Sequence, residues 1–226
     1  MEFTFFGHAC FGVETNGKHL LFDPFISPNP KAANVNIDEV KADFILISHA
    51  HEDHIADVED IANRTNARLI SNFEIITKYA EKGIDNGHPM NHGGSWEFDF
   101  GTLKYVNAIH SSCFPDGSPG GNPGGFIVKT NEADFYYAGD TALSMDMKLI
   151  GAYEKLDFAV LPIGDNFTMG VDDALIASDF INCDKVIGVH YDTFGFIEID
   201  HDEAKRKFEE KGKELILMEI GKTITI

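Results

Sequence analysis

The stretch from Phe44 to His54 reads FILISHAHEDH and decides the interpretation of the whole chain. Its first four residues are all apolar, which is the pattern of a strand buried on both faces. The strand leads directly into four potential metal ligands within six positions, namely His49, His51, Asp53 and His54. In a loop that leaves a strand, residues two apart can converge on one ion while the next pair turns toward a neighbouring ion. His49 and His51 are therefore predicted to bind one metal, and Asp53 and His54 a second.

Imidazole nitrogens and a carboxylate suit zinc and similar borderline cations, with one position left for water. Two other interpretations of the stretch compete with a metal site. A solvated polar loop is disfavoured, because four such residues seldom follow an apolar strand by chance. A helical metalloprotease pair needs two histidines four positions apart, whereas His51 and His54 are three apart.

Three further candidate ligands each follow a predicted strand: His110 after 106–109, Asp140 after 135–138, and His190 after 186–189. A lone histidine or aspartate is more often a structural group than a ligand. Strand ends in layered α/β folds are, however, the places where sites assemble. Placement of all three at strand ends therefore favours their joining the same site.

The rest of the chain alternates short strands with helices. About a dozen strands and roughly five helices are predicted, including a hairpin at Asn16-Gly17 and a helix from Ile55 to Asn63. His88 and His92 are predicted to flank a Gly-containing loop. Two successive β-then-α units after the histidine cluster indicate an α/β layer arrangement, with helices outside two packed sheets.

The composition predicts one folded domain spanning residues 1–226, because a chain of this length buries enough surface to form a core without disulfides or metals. It carries 37 acidic and 18 basic residues, a formal charge of -19. Such a surface disfavours nucleic acid as a partner, since binding it requires clustered Lys and Arg. A small anionic substrate stays possible, because bound cations offset local negative charge.

The cellular setting is predicted from the cysteines and the N-terminus. Cys10, Cys113 and Cys183 are odd in number and form no C-x-x-C motif, so no disulfide is expected. No signal peptide follows Met1, and the apolar runs are too short to span a membrane. We therefore expect a cytoplasmic protein that does not bind membranes.

With these residues in view, the sequence resembles the metallo-β-lactamase superfamily. In detail it is similar to the small bacterial and archaeal branch of metal-dependent hydrolases related to ascorbate-phosphate lactonase. The His-x-His-x-Asp-His stretch is specific to the superfamily, and the segment 162–170 to the branch. The matching segments run nearly from end to end: residues 7–9, 22–25, 49–54, 88–90, 138–141, 162–170, 190–191 and 193–194.

The resemblance implies a four-layered αββα sandwich with metals at one edge. In it, His49, His51 and His110 would bind one metal, Asp53, His54 and His190 the other, and Asp140 would bridge them. Asp53 and His190 are also the predicted catalytic residues. Residues predicted to support a ligand or touch the substrate are His8, Asp23 and Asp165. One departure from the family pattern is Gly195, where relatives tend to carry proline after Thr-Phe.

The predicted function is hydrolysis by a metal-activated water at a dinuclear site. The predicted cofactors are two divalent ions, zinc first, with manganese or iron as alternatives. The substrate is expected to be a small polar or phosphorylated molecule, either a lactone or a phosphodiester. Two alternatives stay open: a metal-dependent oxidoreductase of the same fold, and a non-enzymatic metal-binding protein. A homo-oligomer is also an expectation from the resemblance.

Overall fold

In the computed structural model, which describes every residue from Met1 to Ile226, the strands form two seven-stranded sheets. The first sheet has the order β14-β1-β2-β3-β4-β5-β6, antiparallel from β14 to β3 and parallel from β3 to β6. Its strands are β1 (Glu2–Gly7), β2 (Cys10–Thr15), β3 (Lys18–Phe22), β4 (Phe44–Leu46), β5 (Arg68–Asn72), β6 (Gly87–Met90) and β14 (Thr223–Thr225).

The second sheet has the order β13-β12-β11-β10-β9-β8-β7 and mirrors the first, parallel from β13 to β10 and antiparallel from β10 to β7. Its strands are β7 (Ser95–Phe98), β8 (Gly101–Asn107), β9 (Gly124–Lys129), β10 (Asp134–Tyr137), β11 (Phe158–Pro162), β12 (Lys185–Val189) and β13 (Glu214–Ile216). The parallel strands of each sheet end at one edge of the molecule, where the candidate site lies.

The layer between the sheets is a core of 24 buried residues, ten of them phenylalanine. Rings stack across neighbouring strands, with centroids 4.8 Å apart for Phe3 and Phe11 and 4.4 Å apart for Phe11 and Phe22. Truncating one fully buried ring to alanine typically costs about 3 to 5 kcal/mol. This packing fixes the two sheets against each other, and with them the strand ends that carry the site.

Helices cover both outer faces. Twenty buried residues join the first sheet to its helices and nineteen join the second sheet to its own. None of the helices combines the length and apolar character needed to cross a lipid bilayer. The predicted αββα layering is confirmed. The helices are α1 (Glu52–Ile55), α2 (Val58–Thr65), α3 (Phe73–Glu81), α4 (Met147–Tyr153), α5 (Val171–Phe180) and α6 (His201–Glu209), with short 3-10 turns at Pro30–Ala32, Ile37–Glu39 and Gly195–Ile197.

One local prediction was wrong. The single helix expected from Ile55 to Asn63 is two helices, α1 and α2, separated at Asp57. The carboxylate of Asp57 accepts hydrogen bonds from the backbone N–H groups of Ile26 and Ser27, which ties the break to a distant loop. His88, predicted to flank a loop, lies in strand β6, which also contains Pro89. Proline is tolerated there because β6 is an edge strand.

All three cysteines are free thiols, which confirms that no disulfide forms. Cys10 and Cys183 are buried whereas Cys113 is exposed. Burial raises the pKa of the Cys10 thiol far above its usual range and also raises the pKa of Cys183. The thiolate is the reactive form, so we expect Ellman's reagent to modify one thiol in the native chain and three after unfolding in guanidinium. Rapid native modification of more than one thiol would contradict this burial.

Candidate metal centre

The edge where the parallel strands end brings together all seven predicted ligands. His49 and His51 lie in the loop after β4, and the one-turn helix α1 carries the next two ligands. The other three follow strands of the second sheet. The positions are Asp53 and His54 in α1, His110 after β8, Asp140 after β10, and His190 after β12.

His49, His51 and His110 form the first cluster. One nitrogen from each ring lies within 4.8 Å of the others. Nε2 of His49 is 3.0 Å from Nδ1 of His51, so the two rings point different nitrogen atoms at the same position. His49 is fully buried, whereas His51 and His110 are partly exposed. This cluster therefore opens toward solvent on the side of His51 and His110.

The second cluster contains Asp53, His54 and His190, and His8 joins it. Nε2 of His190 lies 3.9 Å from Oδ2 of Asp53. His54 and His190 are buried, while 29% of the Asp53 side chain is exposed. The positive φ of His190, 57°, turns the chain directly after β12 and directs the ring into the cluster.

Asp140 lies between the two clusters. A single atom, its Oδ2, lies 3.0 Å from Nε2 of His190 and 3.2 Å from Nε2 of His54, both in the second cluster. The same oxygen lies 3.6 Å from Nε2 of His110 and 3.9 Å from Nε2 of His49, both in the first cluster. Four imidazole rings from two clusters thus face one carboxylate oxygen, which suits a bridging ligand.

Asp23 is fully buried and holds the ligand His54 in place. Its Oδ2 accepts hydrogen bonds from Nδ1 of His54 at 2.8 Å and from the hydroxyl of Tyr137 at 2.6 Å. Both the backbone N–H and the hydroxyl of Ser48 donate to the same carboxylate. Since Nδ1–H of His54 points to Asp23, Nε2 is left as the nitrogen that faces Asp140. Asp23 therefore holds the His54 ring in this orientation.

His8 plays a similar part for Asp53. Its Nε2 lies 3.1 Å from Oδ2 of Asp53 and its Nδ1 lies 2.9 Å from the hydroxyl of Thr193. Burial, reinforced by the charge of His190, lowers the pKa of His8 to about 4. A neutral ring carries one N–H, so a proton on Nε2 donates to Asp53 while Nδ1 accepts from Thr193.

The charge balance of the centre favours a cation. Burial lowers the pKa of His49 well below its usual value, so its ring is neutral and able to ligate. Burial opposes ionisation of Asp140, but the charges of His190 and His54 outweigh it and hold the pKa of Asp140 well below its usual range. Burial likewise opposes protonation of His54, yet Asp140 and Asp23 raise its pKa well above 6.5. Positive charge is therefore stabilised between these two carboxylates.

Unpartnered polar atoms provide a further test of metal binding. Nε2 of His54 and Oδ1 of Asp140 are buried and make no hydrogen bond. Buried polar atoms without partners are rare in native proteins and call for a specific explanation. Nitrogen and oxygen donors of this kind are those that zinc and related cations prefer. The residues present therefore fit divalent metal ions.

Three residues around the ligands were not predicted, and Asp165, which was predicted to touch the substrate, lies outside both clusters. The hydroxyl of Ser48 lies at hydrogen-bond distance from Nδ1 of His49, and the hydroxyl of Ser111 lies 3.2 Å from Nε2 of His51. Neither serine nor Tyr137 carried a sequence signal, because serine in a loop and tyrosine in a strand are both commonplace. Asp165 is exposed, and its carboxylate accepts from the N–H of Asn166 rather than reaching either cluster.

Comparison with known proteins identifies the family. A family model described as a β-lactamase superfamily domain matches residues 2–190. A UPF0173 metal-dependent hydrolase of Flavobacterium johnsoniae is 60% identical over 226 residues, with complete coverage of both chains. The chain belongs to the metallo-β-lactamase superfamily. A metal-dependent hydrolase of Methylacidiphilum infernorum, also fully covered, is 50% identical to this superfamily member.

Solved structures agree with this assignment. Igni18, a metallo hydrolase from the archaeon Ignicoccus hospitalis, is 35% identical, with a TM-score of 0.90 and coverage of 100% of this chain and 97% of Igni18. An isothiocyanate hydrolase from Delia radicum gut bacteria has a TM-score of 0.81 at 17% identity, with 100% and 99% coverage, and shows the shared fold alone. As a member of this family, the protein is a metal-dependent hydrolase.

The family departure at Gly195 leads to a stability prediction. Gly195 begins a 3-10 turn, Phe194 before it is extended at φ -126° and ψ 152°, and a Cβ at Gly195 would meet nothing within 4 Å. An extended residue is what proline requires before it. Gly195→Pro should therefore stabilise the fold by about 0.4 to 1 kcal/mol through the unfolded state, raising Tm by roughly 1 to 4 °C. A fall in Tm, measured by calorimetry, would show that the turn needs glycine.

Proposed function

We propose that this hydrolase uses two divalent ions, zinc foremost, to cleave a lactone or phosphodiester bond in a small molecule. The observation that carries the proposal is the single oxygen of Asp140 shared by four imidazoles from two clusters. A centre for one ion would not need ligands on both sides of this oxygen.

In this proposal, each cluster holds one ion. His49, His51 and His110 hold the first, and Asp53, His54 and His190 hold the second, with Asp140 shared between them. When bound, such ions polarise a carbonyl or phosphoryl oxygen and acidify water. Asp23 keeps Nε2 of His54 directed at the centre, and His8 keeps Asp53 in place.

The exposure of the ligands sets the side from which substrate approaches. His49 and His54 are inaccessible, whereas 29% of the Asp53 side chain and 15% of the His110 side chain are open to solvent. Substrate therefore enters over Asp53, His51 and His110. We further propose a cytoplasmic protein that takes a small-molecule substrate rather than nucleic acid, since its charge of -19 would repel a polyanion.

The first experiment is elemental analysis of tag-free protein purified without chelator, beside Asp53→Ala. We expect near two zinc or manganese ions per chain, falling toward one in the variant because it loses a ligand of one cluster only. The loaded protein should then hydrolyse members of a lactone and phosphodiester panel, and chelation should abolish this activity. Asp165→Asn, an aspartate at the same edge but outside both clusters, is the matched control for metal content.

Two results would overturn the proposal. One iron per chain that is insensitive to Asp53→Ala would point to redox chemistry at a mononuclear centre. Full occupancy by two ions with no hydrolysis of any panel member would instead point to a different bond class.

A further inference from the structure

Four large apolar side chains are exposed on the loops that carry or adjoin the ligands. The exposed fractions are 51% for Ile109, 52% for Phe167, 37% for Phe194 and 78% for Phe196. Single exposed apolar residues are ordinary, but several of them on neighbouring loops are typical of a binding surface. We name these four residues the apolar rim.

Two members of the apolar rim, Phe194 and Ile109, adjoin the metal centre. The ring of Phe194 lies 5.4 Å from the ring of His8, which itself contacts Asp53. Ile109 directly precedes His110, and its N–H donates to the hydroxyl of Thr141, the residue after Asp140. The rings of Phe167 and Phe196 lie 6.4 Å apart, so the two outer loops meet.

The rim is held in place rather than loosely attached. Phe167 stands in the turn between Gly164 and Gly170, which pair with each other, and Asp165 and Asn166 turn the chain with φ of 62° and 56°. This turn is bonded to the ligand loop, since the N–H of Met169 donates to the carbonyl of Thr141. On the other side, Phe196 is followed by Ile197, which is fully buried. Burying these exposed rings against a bound apolar group would be favourable.

The segments around the centre supply no basic side chain. The five segments that carry the ligands and the rim, residues 48–57, 108–123, 138–146, 162–170 and 189–200, contain no Lys and no Arg. A phosphodiester is an anion, and proteins that bind phosphate oxygens usually supply Arg or Lys. An uncharged ester needs no such partner.

We propose that the apolar rim is the subsite for an alkyl or aryl substituent, and that the substrate is an uncharged ester such as a lactone bearing that group. The inference rests on the proposed hydrolase function and narrows its two bond classes to one. The step is ordinary hydrolysis, in which water adds across the acyl C–O bond to give a carboxylic acid and an alcohol.

The test compares γ-butyrolactone, γ-hexalactone and γ-nonalactone, which differ only in alkyl chain length, with bis(4-nitrophenyl) phosphate. With zinc-loaded protein, kcat/KM should rise by up to about three- to fourfold for each methylene that reaches the rim. Phe194→Ala and Phe196→Ala should flatten this dependence without lowering Tm. Tyr153→Ala is the matched control, because Tyr153 is an exposed aromatic at the end of α4, near the opposite ends of the strands.

A second readout does not depend on turnover. Calorimetry with 2-pentylcyclopentanone, a carbonyl compound that cannot be hydrolysed, should show binding with a negative heat-capacity change, at least tenfold weaker in Phe194→Ala. If no ester or phosphodiester is cleaved but the ketone still binds at the rim, the proposed function fails and the subsite stands. Equal kcat/KM across the lactones, preference for the phosphodiester, or a dimer that Phe196→Ala dissociates would overturn the subsite itself.

Discussion

Replacing Asp140 with asparagine should reduce bound metal from two ions to one or fewer per chain and lower hydrolysis by more than about 100-fold. Its Oδ2 is the one atom that faces ring nitrogens of both clusters, at 3.0 Å from His190 and 3.6 Å from His110. Substitutions that touch only the partners of ligands typically cost 10- to 100-fold in metal affinity or activity, so loss of a shared ligand should cost more. Elemental analysis measures the metal content, and hydrolysis assays on the same zinc-loaded samples measure the loss of activity.

Asparagine keeps the shape of aspartate and removes only its charge and half of its acceptor capacity. Misfolding is therefore separable from ligand loss by comparing circular dichroism of both chelator-treated proteins. For metal content, the matched control is Asp165→Asn, which changes the same group in an exposed turn outside both clusters. Retention of two tightly bound ions in Asp140→Asn would show that the carboxylate does not bridge the clusters.

Asp23→Asn should unfold more easily by about 3 to 5 kcal/mol, as expected when one member of a buried charged network is removed. It should also bind zinc 10- to 100-fold more weakly. Every group around Asp23 is a donor: the N–H and hydroxyl of Ser48, Nδ1 of His54 and the hydroxyl of Tyr137. The amide nitrogen of asparagine would meet these donors with another donor and displace His54. Urea unfolding of chelator-treated protein and competition with a chromophoric chelator measure the two effects separately.

Tyr137→Phe is the control that separates the effect of Asp23 on stability from its effect on metal binding. It deletes one hydrogen bond to the Asp23 carboxylate and should cost about 1.5 to 3 kcal/mol, while the bond from His54 to Asp23 remains. Zinc affinity in this variant should stay within severalfold of the parent. Equal zinc affinities in Asp23→Asn and the parent would mean that Asp23 stabilises the fold without orienting His54.

Much of the fold and the site could be predicted because the signals are local. The apolar run before His49 marks a buried strand, and the spacing from His49 to His54 marks metal ligands. Local patterns also misled: the helical spacing after His54 continues through Asp57, so no break was expected. The break exists because Asp57 bonds the backbone of Ile26 and Ser27, residues about thirty positions away.

The family, the layer order and the candidate ligands could be predicted from the chain alone, since each follows from short motifs and from the strands that precede them. No local pattern predicted that four imidazoles face one oxygen of Asp140, or that His54 and Tyr137 both donate to Asp23. Only the tertiary structure placed Phe167 and Phe196 beside each other. These pairs are separated by tens to more than a hundred residues, so their distances follow from how two sheets pack on a shared aromatic core.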